Sequence, residues 1–374
     1  MQFTVSSSAL LKQLQTVSGA IGNNATLPIL SDFLFRVENS VLTISATDLE
    51  TSMVAELVVN ADSDGAVAVP SKILLEVLKA LPEQPLMFRV DTNTFAIELQ
   101  TLNGKYKLSG EDGDDFPRIP EASTESSVSL SALTLSTAIN RTLFAVSTDE
   151  LRPAMTGVLF VLESNAVTFV ATDAHRLVKY TVNGLDLSNE TTQFIVPRKA
   201  LNLLKSTLPT SDVEVKLSFD RLNAYFSFNE IRLVCRLIDA RFPDYASVIP
   251  SNNDNLLTLN RAGFQNSVRR ISIFSNKTTH QIVLRIKGTQ LTLNAQDLDY
   301  ANEASEIMDC EFEGEDMDIA FNGRFLSDVM ANLSTEEVQL SMSTPNRAVL
   351  VTPTESSENE EIVMLVMPIM LNNY

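Results

Sequence analysis

The chain has 374 residues, 44% of them hydrophobic, and a formal net charge of −19 at pH 7. That length suits two or three domains with sizeable cores, and the composition excludes a disordered chain. No apolar run reaches the roughly 18 residues that a membrane span needs, and the opening MQFTVSSSALLKQLQTV lacks the basic-then-apolar pattern of a signal peptide. Cys235 and Cys310 lie far apart with no metal-like spacing, so reduced thiols in a cytoplasmic protein are expected.

In chain order, an alternating stretch runs into a helix predicted over 6–17, with Leu10, Leu11, Leu14 and Val17 at helical spacing. Strands are expected at LPILSDFLFRV (27–37) and VLTISATD (41–48), then a helix over 70–81 behind Pro70. A helix over 131–144, a strand AVTFVATD (166–173) and a helix over 197–208 follow, and then helices over 260–272 and 322–333. Two stretches close alike, with DFPRIP (115–120) and RFPDYASVIP (241–250).

The order of elements recurs because the sequence recurs. SATDLE (45–50), VATDAHRL (170–177) and NAQDLD (294–299) set Asp48, Asp173 and Asp297 125 and 124 positions apart. AVPSKILLEVLKAL (68–81) returns as IVPRKALNLLKSTL (195–208) and AFNGRFLSDVMANL (320–333). FTVSSSALLKQL (3–14) returns as VSLSALTLSTAI (128–139) and LTLNRAGFQNSV (257–268). Three registers with one period predict three tandem pseudo-equivalent domains, at 1–122, 123–252 and 253–374. Each reads as α+β, two helices on antiparallel sheets. The repeated Asp ends a strand, where a carboxylate that accepts backbone N–H bonds fixes a turn, and this reading is preferred to a catalytic one.

The charges are segregated. The six predicted helices carry Lys12, Lys72, Lys79, Arg141, Arg198, Lys199, Lys205, Arg261, Arg269, Arg270 and Arg324 against only Glu76 and Asp328, a net +9 that leaves −28 for the rest of the chain. Helix propensity would admit Glu as readily as Lys. A basic helical face of point charges, with little aromatic stacking, suits duplex phosphates without base readout.

Taken together, the three domains, TLPIL (26–30), ATDAHRL (171–177), RFPDY (241–245) and VMPIML (366–371) resemble the bacterial sliding clamp, the beta subunit of the replicative DNA polymerase, over the whole chain. The resemblance implies the DNA clamp fold: a head-to-tail homodimer closing a six-domain ring, helices lining the pore and sheets forming the wall. It implies a processivity factor that encircles duplex DNA and tethers the replicative polymerase, the clamp loader and other proteins with clamp-binding motifs. No catalytic residue, cofactor or metal is implied.

Carried over by position, a cleft for partner peptides comprises Met155, Thr172, Ala174, His175, Arg176, Leu177, Pro243, Val248, Ala348, Val366, Met367, Pro368, Ile369 and Leu371. Methionine and branched aliphatic side chains suit an adaptable apolar groove. The subunit interface falls on Tyr106 and Leu108 facing Ile273 and Phe274, and DNA contacts on Lys72, Arg152, Arg198, Lys199, Arg269, Arg270 and Arg324. The chain departs from the family pattern at Asn23 and Asn24, at Ser247 and Met370, and in the terminal NNY.

Two other readings compete. A metal-dependent hydrolase using the repeated aspartates and His175 lacks any paired ligand spacing, since His175 and His280 are the only histidines. A cell-surface adhesive repeat would need an export signal.

Overall fold

The computed structural model describes residues 1–22, 27–122, 127–185, 187, 191–355 and 357–371; Asn23, Asn24 and the terminal NNY lie outside them. Six α-helices occur among the described residues: α1 (Ser7–Val17), α2 (Ser71–Ala80), α3 (Ala132–Thr142), α4 (Arg198–Thr207), α5 (Arg261–Ser272) and α6 (Gly323–Ala331). Short polar residues cap α1, α5 and α6, whereas α2 and α4 follow a proline. The Ser6 hydroxyl accepts from the Ala9 N–H, Asn260 from Gly263 and Asn322 from Arg324, each satisfying an N–H that has no partner within its helix. None of the helices is long and apolar enough to cross a membrane.

Two expectations shift. The stretch 27–37, expected as one strand, divides into a 3-10 turn, Pro28–Ser31, and a strand, Asp32–Glu38. Pro28 sets the φ that starts the turn, and the Asp32 N–H closes it on Ile29 O. The third helix ends at Thr142 rather than 144 and tightens into a 3-10 turn, Leu143–Ala145, where the Thr142 hydroxyl donates back to Ala138 O at 2.7 Å.

The chain forms two compact units, Met1–Ser136 with Lys199–Leu237, and Thr137–Arg198 with Ile238–Tyr374. They cut through the middle copy of the repeat because the sheets run from one copy into the next. In unit 1, strand Thr51–Val58 pairs with Ile231–Arg236, Met53 opposite Leu233, and completes a nine-stranded antiparallel sheet. In unit 2, Arg176–Asn183 pairs with Glu360–Val366, Val178 opposite Met364, and completes another. Unit 1 also holds a five-stranded sheet edged by Lys105–Ser109, and unit 2 a four-stranded sheet edged by Asn302–Asp309.

The recurring Asp shapes the recurring turn. Asp48 Oδ1 accepts from the N–H groups of Glu50 and Thr51 at 3.0 and 2.7 Å, and Asp173 Oδ1 from those of His175 and Arg176 at 3.0 and 2.9 Å. Asp297 Oδ1 accepts from Asp299 at 3.2 Å. The bonds hold Leu49 and Ala174 at φ of 79° and 74°, a region costly for residues with a Cβ.

Apolar faces of helices and strands meet in aromatic cores. In unit 1, Phe3 and Phe88 stack at 4.9 Å with Phe35 beside them, all fully buried. At the edge of that packing Asp32 sits opposite Pro70, just ahead of α2, and is only 9% exposed. Burial, and then Glu111, pushes its carboxyl up from 3.8 to about 6. The folded protein therefore holds this proton more tightly than the unfolded chain. The stabilisation is fullest below about pH 4 and is lost as pH rises through 6. Asp32→Asn should leave urea-unfolding stability nearly unchanged at pH 4 and raise it at pH 8, by up to about 3 kcal/mol for two pK units; equal effects at both pH values would contradict this placement of the proton.

Candidate partner cleft and nucleic-acid interface

The apolar part of the candidate cleft grows from strand registers within unit 2. Leu177 lies opposite Leu365, and Leu159 opposite Val170 and Ile195. With Val161 these residues form a buried cluster. Phe242, Tyr245 and Ile249 pack on it from the segment after Ile238, and Ala348 and Leu350 from the strand beginning at Val349 and the loop before it. Gly157 permits the close approach, since a Cβ there would meet Ile238 Cδ1 at 2.9 Å. Burial, with Glu163 and Asp244 nearby, pushes the Tyr245 phenol above its usual value.

A polar frame closes one end of the cluster. Thr172 Oγ1 donates to Arg176 O at 2.8 Å and accepts from Ala174 N at 3.1 Å, locking the turn. The Arg176 guanidinium donates to Asp173 Oδ2 at 3.0 Å, Asp328 Oδ2 at 2.6 Å and Phe144 O at 2.8 Å. Its carbon lies 5.2 Å from the Phe144 ring centre and 4.8 Å from that of Phe325. The His175 ring stacks on Phe325 at 5.7 Å, and its carbonyl accepts from Met367 N at 2.8 Å. Two residues on, Ile369 N donates to Ala320 O at 2.7 Å, so the end of the chain is pinned at both places.

Of the residues assigned to the cleft from sequence, Thr172, Leu177 and Val366 are buried; Ala174, His175, Val248 and Met367 are exposed; and Met155, Arg176, Pro243, Ala348, Pro368, Ile369 and Leu371 are intermediate. Ser247 is exposed and donates to Asp244 O at 2.8 Å, and Met370 is exposed. Sequence reasoning missed Phe144, Phe325 and Asp328, which hold Arg176, and Phe242, Tyr245 and Ile249. Two signals were available: RFPDYASVIP (241–250) contains Phe242, Tyr245 and Ile249, and position 325 is aromatic where the corresponding positions of the repeat carry Ile73 and Ala200.

The cations assigned to DNA divide into two kinds. Lys72, Arg198, Arg269 and Arg324 are exposed on α2, α4, α5 and α6, with no ion pair among the described residues. Arg152 pairs with Asp149 at 2.8 Å, Lys199 pairs with Asp48, and Arg270 donates to both oxygens of Glu306 at 2.7 and 2.6 Å. Hydrogen bonding from Arg270 holds the Glu306 carboxyl below its usual value. Near Arg324, burial and then the Arg324 and Lys277 cations depress the His280 imidazole. The aspartates proposed for a metal hydrolase are engaged in their turns, and no group of three or more metal-ligating side chains occurs among the described residues.

Compared with known proteins, the chain matches the DNA polymerase III beta subunit along nearly its whole length: the N-terminal domain at residues 1–120, the central domain at 129–244 and the C-terminal domain at 246–369. It belongs to that family. It is 31% identical to the beta sliding clamp of Vibrio cholerae over 375 residues, covering 99% of this chain and 100% of the relative. It is similar in structure to the DNA polymerase III subunit beta of Pseudomonas aeruginosa, at a TM-score of 0.95 and 30% identity, with 99% and 100% of the two chains covered. A further Pseudomonas aeruginosa clamp, solved bound to griselimycin, matches at a TM-score of 0.94 and 30% identity over 99% and 100% of the chains.

The Arg176 frame makes a stability prediction. Truncation would leave the largely buried Asp173 carboxylate without its cation and empty the gap between two aromatic rings. Arg176→Ala should destabilise unit 2 by roughly 3–5 kcal/mol, and Arg176→Lys should recover only part of this because an ammonium cannot span three acceptors. Differential scanning calorimetry would measure both; an unchanged midpoint for Arg176→Ala would refute the assignment.

Proposed function

We propose that this protein is a DNA sliding clamp: two copies close head to tail into a six-domain ring around duplex DNA and tether the replicative polymerase, the clamp loader and other motif-bearing partners during chromosomal replication. On this reading it is a cytoplasmic, non-enzymatic factor without cofactor or membrane association, built of domains at 1–122, 123–252 and 253–374. The exposed cations Lys72, Arg198, Arg269 and Arg324 meet phosphates, while Arg152, Lys199 and Arg270 exchange a carboxylate for phosphate as the duplex slides. Weak, non-specific contacts of this kind allow sliding, and retention comes from topology.

The observation that carries the ring is the unequal sheets. Two nine-stranded sheets each join one copy of the repeat to the next, whereas the remaining two have five and four strands. Their open edges, Lys105–Ser109 and Asn302–Asp309, occupy the places that are paired at the internal junctions. Joining them between chains would make a third nine-stranded sheet and satisfy both rows of backbone groups. Transferring the internal register sets Tyr106 opposite Ala304 of a second copy and Lys107 opposite its Glu303. Ile273 and Phe274, exposed after α5, would then meet α2, which exposes Ile73. The contact is heterologous, and its closure into a ring is what the resemblance to the clamp family implies.

The apolar cluster around Leu177 and Leu365 takes the linear peptides of partners, anchored by aliphatic or aromatic side chains. We place griselimycin, the ligand of the Pseudomonas aeruginosa relative, in the same groove.

Two experiments test the reading. Loaded by a matching loader onto nicked circular DNA, the protein should stay bound and should leave once the circle is cut; equal retention on both forms would eliminate encirclement. In sedimentation, Lys107→Glu should shift the dimer towards monomer at least about tenfold, by like-charge opposition across the edge. Adding Glu303→Lys should restore it, and a failure to restore would reject the register.

A further inference from the structure

The loop between strands Glu337–Met342 and Val349–Pro353 is held from outside. The ladder between these strands ends at the pair Ser341–Leu350. Beyond it, Asn253 Nδ2 donates to Ser341 O at 2.8 Å and to Ala348 O at 3.0 Å, one carbonyl from each side of the loop. Two residues on, Asn255 Nδ2 donates to Ser343 O at 2.9 Å. The Asn253 carboxamide thus supplies the N–H groups that the ladder has ceased to supply. Its orientation is fixed, since the reverse would set Oδ1 against two carbonyl oxygens. That orientation leaves Oδ1 buried with no partner among the described residues, and Ser343 Oγ is in the same state.

Those donors join the two sides of the groove. Ala348 and Leu350 pack on the Leu177–Leu365 cluster from the loop side. Phe242, Tyr245 and Ile249 pack on it from the segment that leads into Asn253. We propose that Asn253 is a positioning residue of the cleft, fixing the separation between Ala348 and the Phe242–Ile249 segment and so the width of the groove that an apolar peptide enters. This rests on the cleft reading above. Groove width governs affinity because anchor side chains tolerate displacements of only about 0.5 Å.

Calorimetric titration of the full chain with griselimycin, run well below every unfolding midpoint, separates positioning from mere stabilisation. Asn253→Ala and the isosteric Asn253→Asp, which loses both donors, should each weaken binding by about tenfold or more. Met367→Lys, on the exposed wall, should abolish binding and reports on the cleft itself. If Met367→Lys loses griselimycin while both Asn253 variants bind like the parent, Asn253 is only a structural clip and the proposal falls, whatever their midpoints do. If the parent does not bind, or Met367→Lys binds unchanged, the cleft reading fails and takes the proposal with it. Should Asn253→Ala not fold, Asn253→Asp alone decides.

Discussion

The antiparallel ladder between Arg176–Asn183 and Glu360–Val366 is the interaction on which the rest of unit 2 depends. By setting Leu177 opposite Leu365 it makes the apolar floor of the cleft. Because side chains alternate along a strand, Leu177 facing the floor commits Arg176 to the other side. There Phe144, Phe325 and Asp328 receive it. The same pairing brings Met367 within reach of the His175 carbonyl. One register thus arranges an apolar groove, a buried cation and the end of the chain together.

The repeat shows why a groove of this kind forms at one junction. The pairs Thr47–Ser52, Thr172–Leu177 and Gln296–Glu303 make Ser52, Leu177 and Glu303 corresponding positions, and in the same way Ser45, Val170 and Asn294 correspond. The turn-forming aspartate is retained in all three, while the hairpin that follows it is two residues longer in the third copy. Only in the middle copy are both positions apolar. At Asp48 the free carboxylate oxygen meets Lys199, at Asp173 it meets Arg176, and Asp297 faces Asn276. A shared turn has been adapted to three different neighbours.

Much of this was legible in the sequence, for local reasons. Helices such as α1 and α5 announce themselves by apolar spacing and a Ser or Asn cap, and the period near 125 exposes the copies. The stretch 27–37 misled because its apolar run hides a turn started by Pro28. The two compact units were invisible because their ladders join segments far apart, such as Ala55 and Ile231. The pairing of Lys199 with Asp48 spans 151 positions, and nothing near Lys199 marks it as less available than Arg198. Phe325 and Asp328 escaped because their role is defined by Arg176 in another copy.

Sheets that continue from copy to copy make the covalent link between copies redundant. A backbone nick between the first and second copies would leave them stitched through Thr51–Val58 and Ile231–Arg236, and one between the second and third would leave Arg176–Asn183 and Glu360–Val366 in place. The repeat is modular as text but not as matter: no single copy can be lifted out without tearing a sheet and baring an adhesive edge.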